Sequence, residues 1–432
     1  MRKRTDEYHN TDIELKGDGK RKFSLRELKT FESFKTPIFR IYYGSMVGQW
    51  ASMSMQMMAR SLLVYRITGS GTVLGVMALA QAIPQLLIGL LGGAVADRIQ
   101  KKYIIIISQA FTGVISLSVA LAISAGYLGE ANPGSWWVLL VTAVGQGIVM
   151  GFMMPARMAI IPEIVGEERV MNAISLTMMA QTIFRLVGPA LAGFLIDAYS
   201  FAIIYFLITG MFAIATVFAL FLPLTGTTAS RKKESTLKDI LEGFRYIRRE
   251  TLFALIVVFG MCHMISGMPY SQLLPIFTED ILKVGASGMG LLMTVSGIGA
   301  LVSSLILASM PNKKRGILLL FSGIVMSVPL IVFSFSRWWY LSLLMMPLIG
   351  MGPTMHGALT GTLIQYYSDP DYRGRMQSFV TMGSGLASLG TFIAGVLSDS
   401  IGVQWSVGAM AMFLTAVTIL YFIFARQITK LD

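Results

Sequence analysis

The sequence predicts an all-α integral membrane protein, with twelve transmembrane helices folded as two pseudo-symmetric six-helix bundles. Three observations lead there. The 432-residue chain is 54% hydrophobic and only 13% charged, where soluble proteins carry about 25% charged residues; the deficit runs along its whole length. The apolar runs are continuous, unlike the alternating strands of a membrane β-barrel, and each approaches the ~20 residues that carry a helix across ~30 Å of hydrocarbon. The halves also repeat: Gly188, Gly193 and Asp197 recur 202 residues later as Gly390, Gly395 and Asp399.

Residues 1–37 read as a basic cytoplasmic tail with no apolar core or cleavage site of a signal peptide. Phe23, Leu28, Phe31 and Phe34 recur near helical spacing there, which suits either a short helix on the inner leaflet or an unstructured tail. The N-terminal bundle, 38–224, holds spans near 39–65, 73–96, 103–125, 135–158, 170–198 and 201–223. A cytoplasmic linker, 225–250, places Leu237, Ile240, Leu241, Phe244 and Ile247 on one face of an amphipathic helix. The C-terminal bundle, 251–426, holds spans near 252–276, 286–309, 316–336, 338–366, 374–398 and 402–425, and 427–432 form a second cytoplasmic tail.

An even number of spans returns both ends to one side. Charge says which side. Net charge is +12, and the basic residues concentrate before Phe39, in Arg98–Lys102, in Arg231–Arg249, in Lys313–Arg315 and at Arg373 and Arg375. These are alternate gaps between spans, the positive-inside pattern. The charge therefore belongs to a surface against the lipid bilayer of a cell membrane, not to a nucleic-acid site. Cys262 is the only cysteine, so no intramolecular disulfide exists, and no metal-ligand or cofactor cluster is visible. No P-loop is present to draw on ATP. No paired His–acid or Cys–His group stands in a loop for membrane enzymology.

The short turn between spans two and three carries the densest signal: Gly93, Asp97, Arg98, Lys101 and Lys102. Gly93 and Asp97, at i and i+4, share one helix face. The second-half counterpart, Asn312-Lys313-Lys314, keeps the basic pair but has Leu305 and Ser309 where the glycine and the acid stand in the first. In span five, Gly188-Pro189 either kinks the helix or lets it cross a neighbour closely. Polar groups deep in a membrane are expensive and commonly functional. Here they are Gln49, Gln56, Arg60, Gln146, Gln181, Arg185, His263 and His356. Gln49, Gln56 and Arg60 follow i, i+7, i+11, a face expected to line a central cavity. Arg60 and Arg185 either hold an anionic substrate group or bond to backbone carbonyls. The 30 methionines cluster at 53–58, 150–158, 261–268 and 345–355, where they suit either an adaptable apolar cavity or packing against lipid. No Asp or Glu stands near the middle of any span.

Gly93-x-x-x-Asp97-Arg98-x-x-Lys101-Lys102 resembles the span-two/three signature of the major facilitator superfamily, and Gly188-Pro189-x-x-x-Gly193 resembles its antiporter motif. Pro155-Ala156-Arg157, Pro162-Glu163 and Arg66-Ile67-Thr68-Gly69-Ser70 resemble the twelve-span drug:proton antiporter branch, which includes macrolide, multidrug and enterobactin exporters. The resemblance implies a multi-pass protein of a prokaryotic plasma membrane, acting as a monomer without a cofactor, with a small-molecule substrate and protons as its partners. It implies a latch in which Asp97 meets the start of span eleven near Arg373 and Arg375, with Arg157 as another partner, and gating at Gly188, Pro189 and Gly193. It also exposes departures. Ala143 stands where relatives carry a span-four arginine before Gln146-Gly147, and Gln49 follows Gly48 where some carry an acid. Proton coupling then falls to His263, His356 or Asp97. The expected activity is alternating-access efflux of amphipathic small molecules. The alternatives are export of a specific anionic metabolite such as a siderophore, movement of a lysolipid, a non-transporting sensor, or a membrane enzyme.

Overall fold

Turn chemistry in the chain sets where its helices stop and restart. The computed structural model describes residues 29–224, 251–310, 313–368, 373–429 and 431; side chains at 29–30, 90–94, 96–97, 373–382, 384 and 426 lie outside that description. Thr36 precedes Pro37, which opens α1 (Pro37–Thr68) at the position where a missing N–H costs nothing. Gly69 ends α1 in the left-handed region at φ +61° and donates its N–H to the Tyr65 carbonyl. Ser70 then caps α2 (Gly71–Arg98), its Oγ accepting from the Val73 N–H. There follow α3 (Lys101–Ser124), α4 (Trp136–Val165), α5 (Val170–Ala198) and α6 (Phe201–Leu220).

The seventh span departs from the uninterrupted run read in the sequence. It is broken into Thr251–Gly267 and Tyr270–Ile276, which together with a wider-wound stretch, Phe277–Ile281, form α7. Pro269 explains the break: it has no N–H to continue the ladder and steers Met268 away from helical geometry. Then come α8 (Gly285–Ser309), α9 (Arg315–Phe335), α10 (Trp339–Tyr367), α11 (Arg373–Ile401) and α12 (Val403–Phe424). Among the described residues, nine helices are long and apolar enough to cross a membrane by composition; α1, α10 and α11 complete the twelve.

The packing is the same in each half. In the first, α2 lies against α4, α3 against α6 and α4, and α1 against α5 and α6. In the second, α8 lies against α10, α9 against α12 and α10, and α7 against α11 and α12. Two extensive contacts join the bundles, α2 with α11 and α5 with α8, and they exchange under the same two-fold relation; α1 and α2 also touch the second part of α7. The described ends of the chain, Lys29 and Leu431, lie on one face of the protein, here the terminal face. The opposite face, with the α1–α2 and α7–α8 turns, is the far face.

The buried apolar side chains divide by height. Toward the far face, one continuous core includes Leu62, Ile196 and Tyr205 of the first bundle with Leu273, Met289 and Ile349 of the second. Toward the terminal face the described apolar residues fall into separate cores, among them one around Phe39, Ile105 and Ile161 and another around Phe259, Leu319 and Leu363.

The tail ahead of α1 is described from Lys29, where a 3₁₀ turn runs to Lys35 with a kink at Phe31. Its Ser33 donates from both N–H and Oγ to Asn172 Oδ1 at the start of α5 (2.9 and 2.7 Å), and Phe34 packs edge-on to Phe39 and Tyr43. Phe23 and Leu28, and the expected linker helix over 237–247, lie outside the described residues.

The repeated glycines explain the packing. A Cβ at Gly188 would strike Ser54 of α1, and one at Gly390 the Ile265 carbonyl of α7. A Cβ at Gly193 would strike the Ala286 carbonyl of α8, and one at Gly395 the Gly71 carbonyl of α2. In each half, then, the first glycine seats its helix within its own bundle and the second seats it against the other. Gly193→Leu is expected to lower the melting temperature, since overpacking costs about 1–3 kcal/mol. Gly210→Leu, at a glycine with open space around it, is the control and should leave the melting temperature unchanged. Equal melting of the two variants would show that the α5–α8 approach is loose.

Candidate functional site

On the far face, carboxylates of one bundle hold groups of the other. Asp399, near the end of α11, accepts hydrogen bonds at the start of α2: from the Gly71 N–H to Oδ1 (2.7 Å), and from the Thr72 N–H (3.0 Å) and Ser70 Oγ (2.6 Å) to Oδ2. Asp197, near the end of α5, accepts at the start of α8 from the Ala286 N–H (3.3 Å) and the Ser287 N–H (2.7 Å). The first N–H groups of a helix have no partner within it, and the helix dipole adds positive potential there, so a carboxylate is well placed. These two clasps are the repeated aspartates of the sequence, doing the same work under the two-fold relation.

Between them, α1 meets α7. Arg66 pairs with Glu279 (2.9 Å) and Tyr65 donates to Asp280 (2.5 Å). Glu279 and Asp280 stand on the wide-wound stretch that follows the α7 break. The bonds described between the bundles lie at or beyond the level of Leu186, whose carbonyl accepts from Thr294 Oγ1 (2.7 Å).

Behind this closed face lies a cavity of about 290 Å³ between α1, α5, α7, α8 and α10. Met57, Met268, Met293 and Met346 give it apolar walls. Ser54, Arg185, Tyr270, Ser271, Ser296 and Thr354 give it polar groups. Tyr270 and Ser271 reach it because they follow the α7 break directly, and the Tyr270 hydroxyl is 3.3 Å from Ser296 Oγ. Arg185 and Pro189 stand one turn apart on the cavity side of α5. Pro189 has no N–H for the Arg185 carbonyl, which is therefore left without its helical donor.

The candidate residues read from the sequence fall into several places. Arg185 lines the cavity, but Gln49, Gln56 and Arg60 do not: their shared face turns into the first bundle. Gln49, about 1% exposed, points its Nε2 to Met153 Sδ (3.1 Å). Gln56 donates to Ser116 Oγ (3.2 Å). Arg60 donates to Gln146 Oε1 (2.7 Å) and to Gln81 Oε1. The expectation of a cavity-lining stripe is thereby corrected, because these amides and the guanidinium find partners on α2, α3 and α4 instead. His263 and His356 lie inside the second bundle, 0% and 2% exposed, with rings stacked at 4.2 Å. His356 Nε2 is 3.4 Å from Thr360 Oγ1.

Of the gating candidates, Gly188, Pro189 and Gly193 sit at helix crossings, and α5 runs through Pro189 as one helix. Lys101 is buried and pairs with Glu163 of its own bundle (2.7 Å). Arg98 is exposed and Lys102 partly buried. Arg157 is buried over the Tyr42 ring and, with the Gln109 amide turned to suit, donates to its oxygen (2.7 Å). The backbones of Gly93 and Asp97 lie in α2 and those of Arg373 and Arg375 open α11, but the side chains that would form the latch lie outside the described residues. Sequence reading assigned no role to Tyr65, Glu279 or Asp280. The available signal was an acidic pair just past the seventh apolar run, opposite Arg66.

Comparison with known proteins agrees with this architecture. A family profile described as Major Facilitator Superfamily matches residues 43–391. The chain is 23% identical over 409 residues to the Staphyloferrin A transporter of Staphylococcus aureus, covering 91% of this chain and 96% of that one. It is 25% identical over 384 residues to Macrolide efflux protein A of Streptococcus pyogenes, covering 87% and 93%. The crystal structure of the nucleoside transporter NupG superposes with a TM-score of 0.72 at 14% identity, covering 89% of this chain and 98% of that one.

Loss of a carboxylate cap costs about 1–2 kcal/mol, or roughly a 5–30-fold change in an equilibrium. Asp197→Ala and Asp399→Ala should each open the far face to that extent. The readout is labelling of Ser271→Cys, in a Cys262→Ala background, by a membrane-impermeant maleimide applied to the far side. Unchanged labelling would mean that apolar packing alone keeps the face shut.

Proposed function

This chain belongs to the major facilitator superfamily, and on that premise we propose that it exports amphipathic small molecules by alternating access, in exchange for protons. It is a multi-pass membrane transporter and not an enzyme. One observation carries the finer reading. The cavity lies between two bundles that share a core on the far face and keep separate cores on the terminal face. That is the arrangement of a transporter closed on one side.

The positive-inside pattern of the basic residues supports a cytoplasmic terminal face, and on that reading the closed face looks outward and the cavity is loaded from inside. We take it to act as a monomer in the plasma membrane, a reading supported by a cavity whose described lining comes from one chain. The names of the relatives support small-molecule traffic, one a macrolide efflux protein and one a staphyloferrin A transporter. Export requires the clasps at Asp197 and Asp399 to release while the terminal face closes. We assign that closing contact to Asp97 against the start of α11, with Gly93 permitting the approach. Among the described residues no carboxylate lines the cavity, and we assign the proton to Asp97 or to the His263–His356 pair.

In proteoliposomes, an imposed pH gradient should raise the flux of members of a panel of cationic, neutral and anionic compounds several-fold over the gradient-free rate, and a protonophore should abolish the increase. Flux indifferent to the gradient removes the proton from the scheme, and no flux for any compound removes export. Asp97→Asn should weaken the coupling by about 5–150-fold, the range of a 1–3 kcal/mol coupling energy. Unaltered gradient-driven flux in that variant would clear Asp97 of the role.

A further inference from the structure

Four arginines within or at the ends of the spans have described side chains in the bundle interior or at its interface, and three are provided for by the protein. Arg60 has two glutamine oxygens, Arg66 has the Glu279 carboxylate, and Arg157 has the Tyr42 ring and Gln109. Arg185 has none. No described residue accepts a hydrogen bond from its guanidinium, no described carboxylate lies within ion-pair distance, and it opens onto the cavity between the bundles. Its side chain is exposed toward that space, and nothing among the described residues meets its charge. An anion from outside the protein answers it, and the guanidinium's planar fork matches two carboxylate or sulfonate oxygens at once.

The rest of the lining says what that anion is attached to. Met268, Met293 and Met346, flexible and polarisable, share the lining with Arg185, with Tyr270 and Ser296 as hydroxyl groups. No acidic side chain is among the described lining residues, so among them a cationic ligand finds no counter-charge and meets Arg185 as a like charge. The volume, about 290 Å³, is at the lower end for ligand pockets. It suits a small amphipath or the acidic end of a larger one.

We propose that the cavity is a binding site for amphipathic organic anions, with Arg185 as the residue that holds the acidic group and sets the charge preference. The proposal rests on the transport reading above and gives it a substrate class. It runs against a site selecting lipophilic cations, which the absence of acids among the described lining residues disfavours.

Three dansyl probes with a common fluorophore test it: dansylglycine (anion), dansylglycinamide (neutral) and dansylcadaverine (cation). Binding is read by fluorescence on the full chain in lipid nanodiscs, against empty nanodiscs. The wild type should bind dansylglycine at least about tenfold more tightly than its amide, and dansylcadaverine most weakly. Arg185→Lys should keep that order, and Arg185→Gln should bring the anion and the amide to equal affinity while still binding the amide. The wild-type order needs no variant, so a misfolded Arg185→Gln leaves the test intact. An equal or reversed wild-type order overturns the proposal, as does a preference that survives in folded Arg185→Gln. Flux of the same probes from proteoliposomes separates the two readings. Anion-selective binding without flux of any probe keeps the site and removes the transport, whereas equal flux of all three keeps the transport and removes the site.

Discussion

A carboxylate placed on the open end of a helix is the contact on which this molecule turns. Asp399 gathers the first N–H groups of α2, and Asp197 those of α8. Each satisfies donors that would otherwise be orphaned and places negative charge at the positive end of a dipole. The acid and the helix start belong to different bundles, so the local energy of capping becomes an energy of association between the halves. Each clasp is worth about 1–2 kcal/mol. That is enough to bias two conformations and small enough to be released, as a molecule that must open and close requires.

The glycines supply the geometry that makes the clasps reachable. Asp197 meets α8 only because Gly193, one turn earlier, lets the two backbones touch, and Gly395 does the same for Asp399. Below these crossings the α7 break swings Tyr270 and Ser271 to the cavity and sends Glu279 and Asp280 on to α1. Closure and cavity are thus built from the same helices, and the residues that seal the far face are within a few turns of those that line the site.

The architecture was legible because it follows from run length, charge placement and repetition. The 202-residue recurrence of Gly188, Gly193 and Asp197 marked two equivalent interfaces before either could be seen. Direction was not legible. The stripe Gln49, Gln56 and Arg60 is one helix face, as its spacing says, but spacing does not state whether a polar face turns to a cavity or to partners in its own bundle. Here Gln81, Gln146 and Ser116 decide it, and these come from three different helices. Likewise, His263 and His356 are 93 positions apart in sequence, and only the packing of α7 on α10 stacks their rings. The α7 break was written in Met268-Pro269, but an apolar run on both sides masks such a break when hydropathy is the guide. For Arg185 the sequence left two readings open, and the structure places it on the cavity with no protein partner among the described residues.

The reciprocity of the two clasps describes an interface of a particular symmetry. Asp197 reaches from the first half to the start of α8, and Asp399 from the second half to the start of α2, so the contacts are the paired i–j and j–i contacts of an isologous dimer. A six-helix unit that carried one acid at the end of its fifth helix and one open N-terminus on its second would be complementary to a copy of itself. The covalent linker then fixes as one chain what two identical subunits would form by association. With the halves joined, each is free to change alone: the first keeps Gly93 and Asp97, while the second has Leu305 and Ser309 in their place. Fusion of a symmetric pair thus lets one face of the protein stay balanced while the other becomes one-sided.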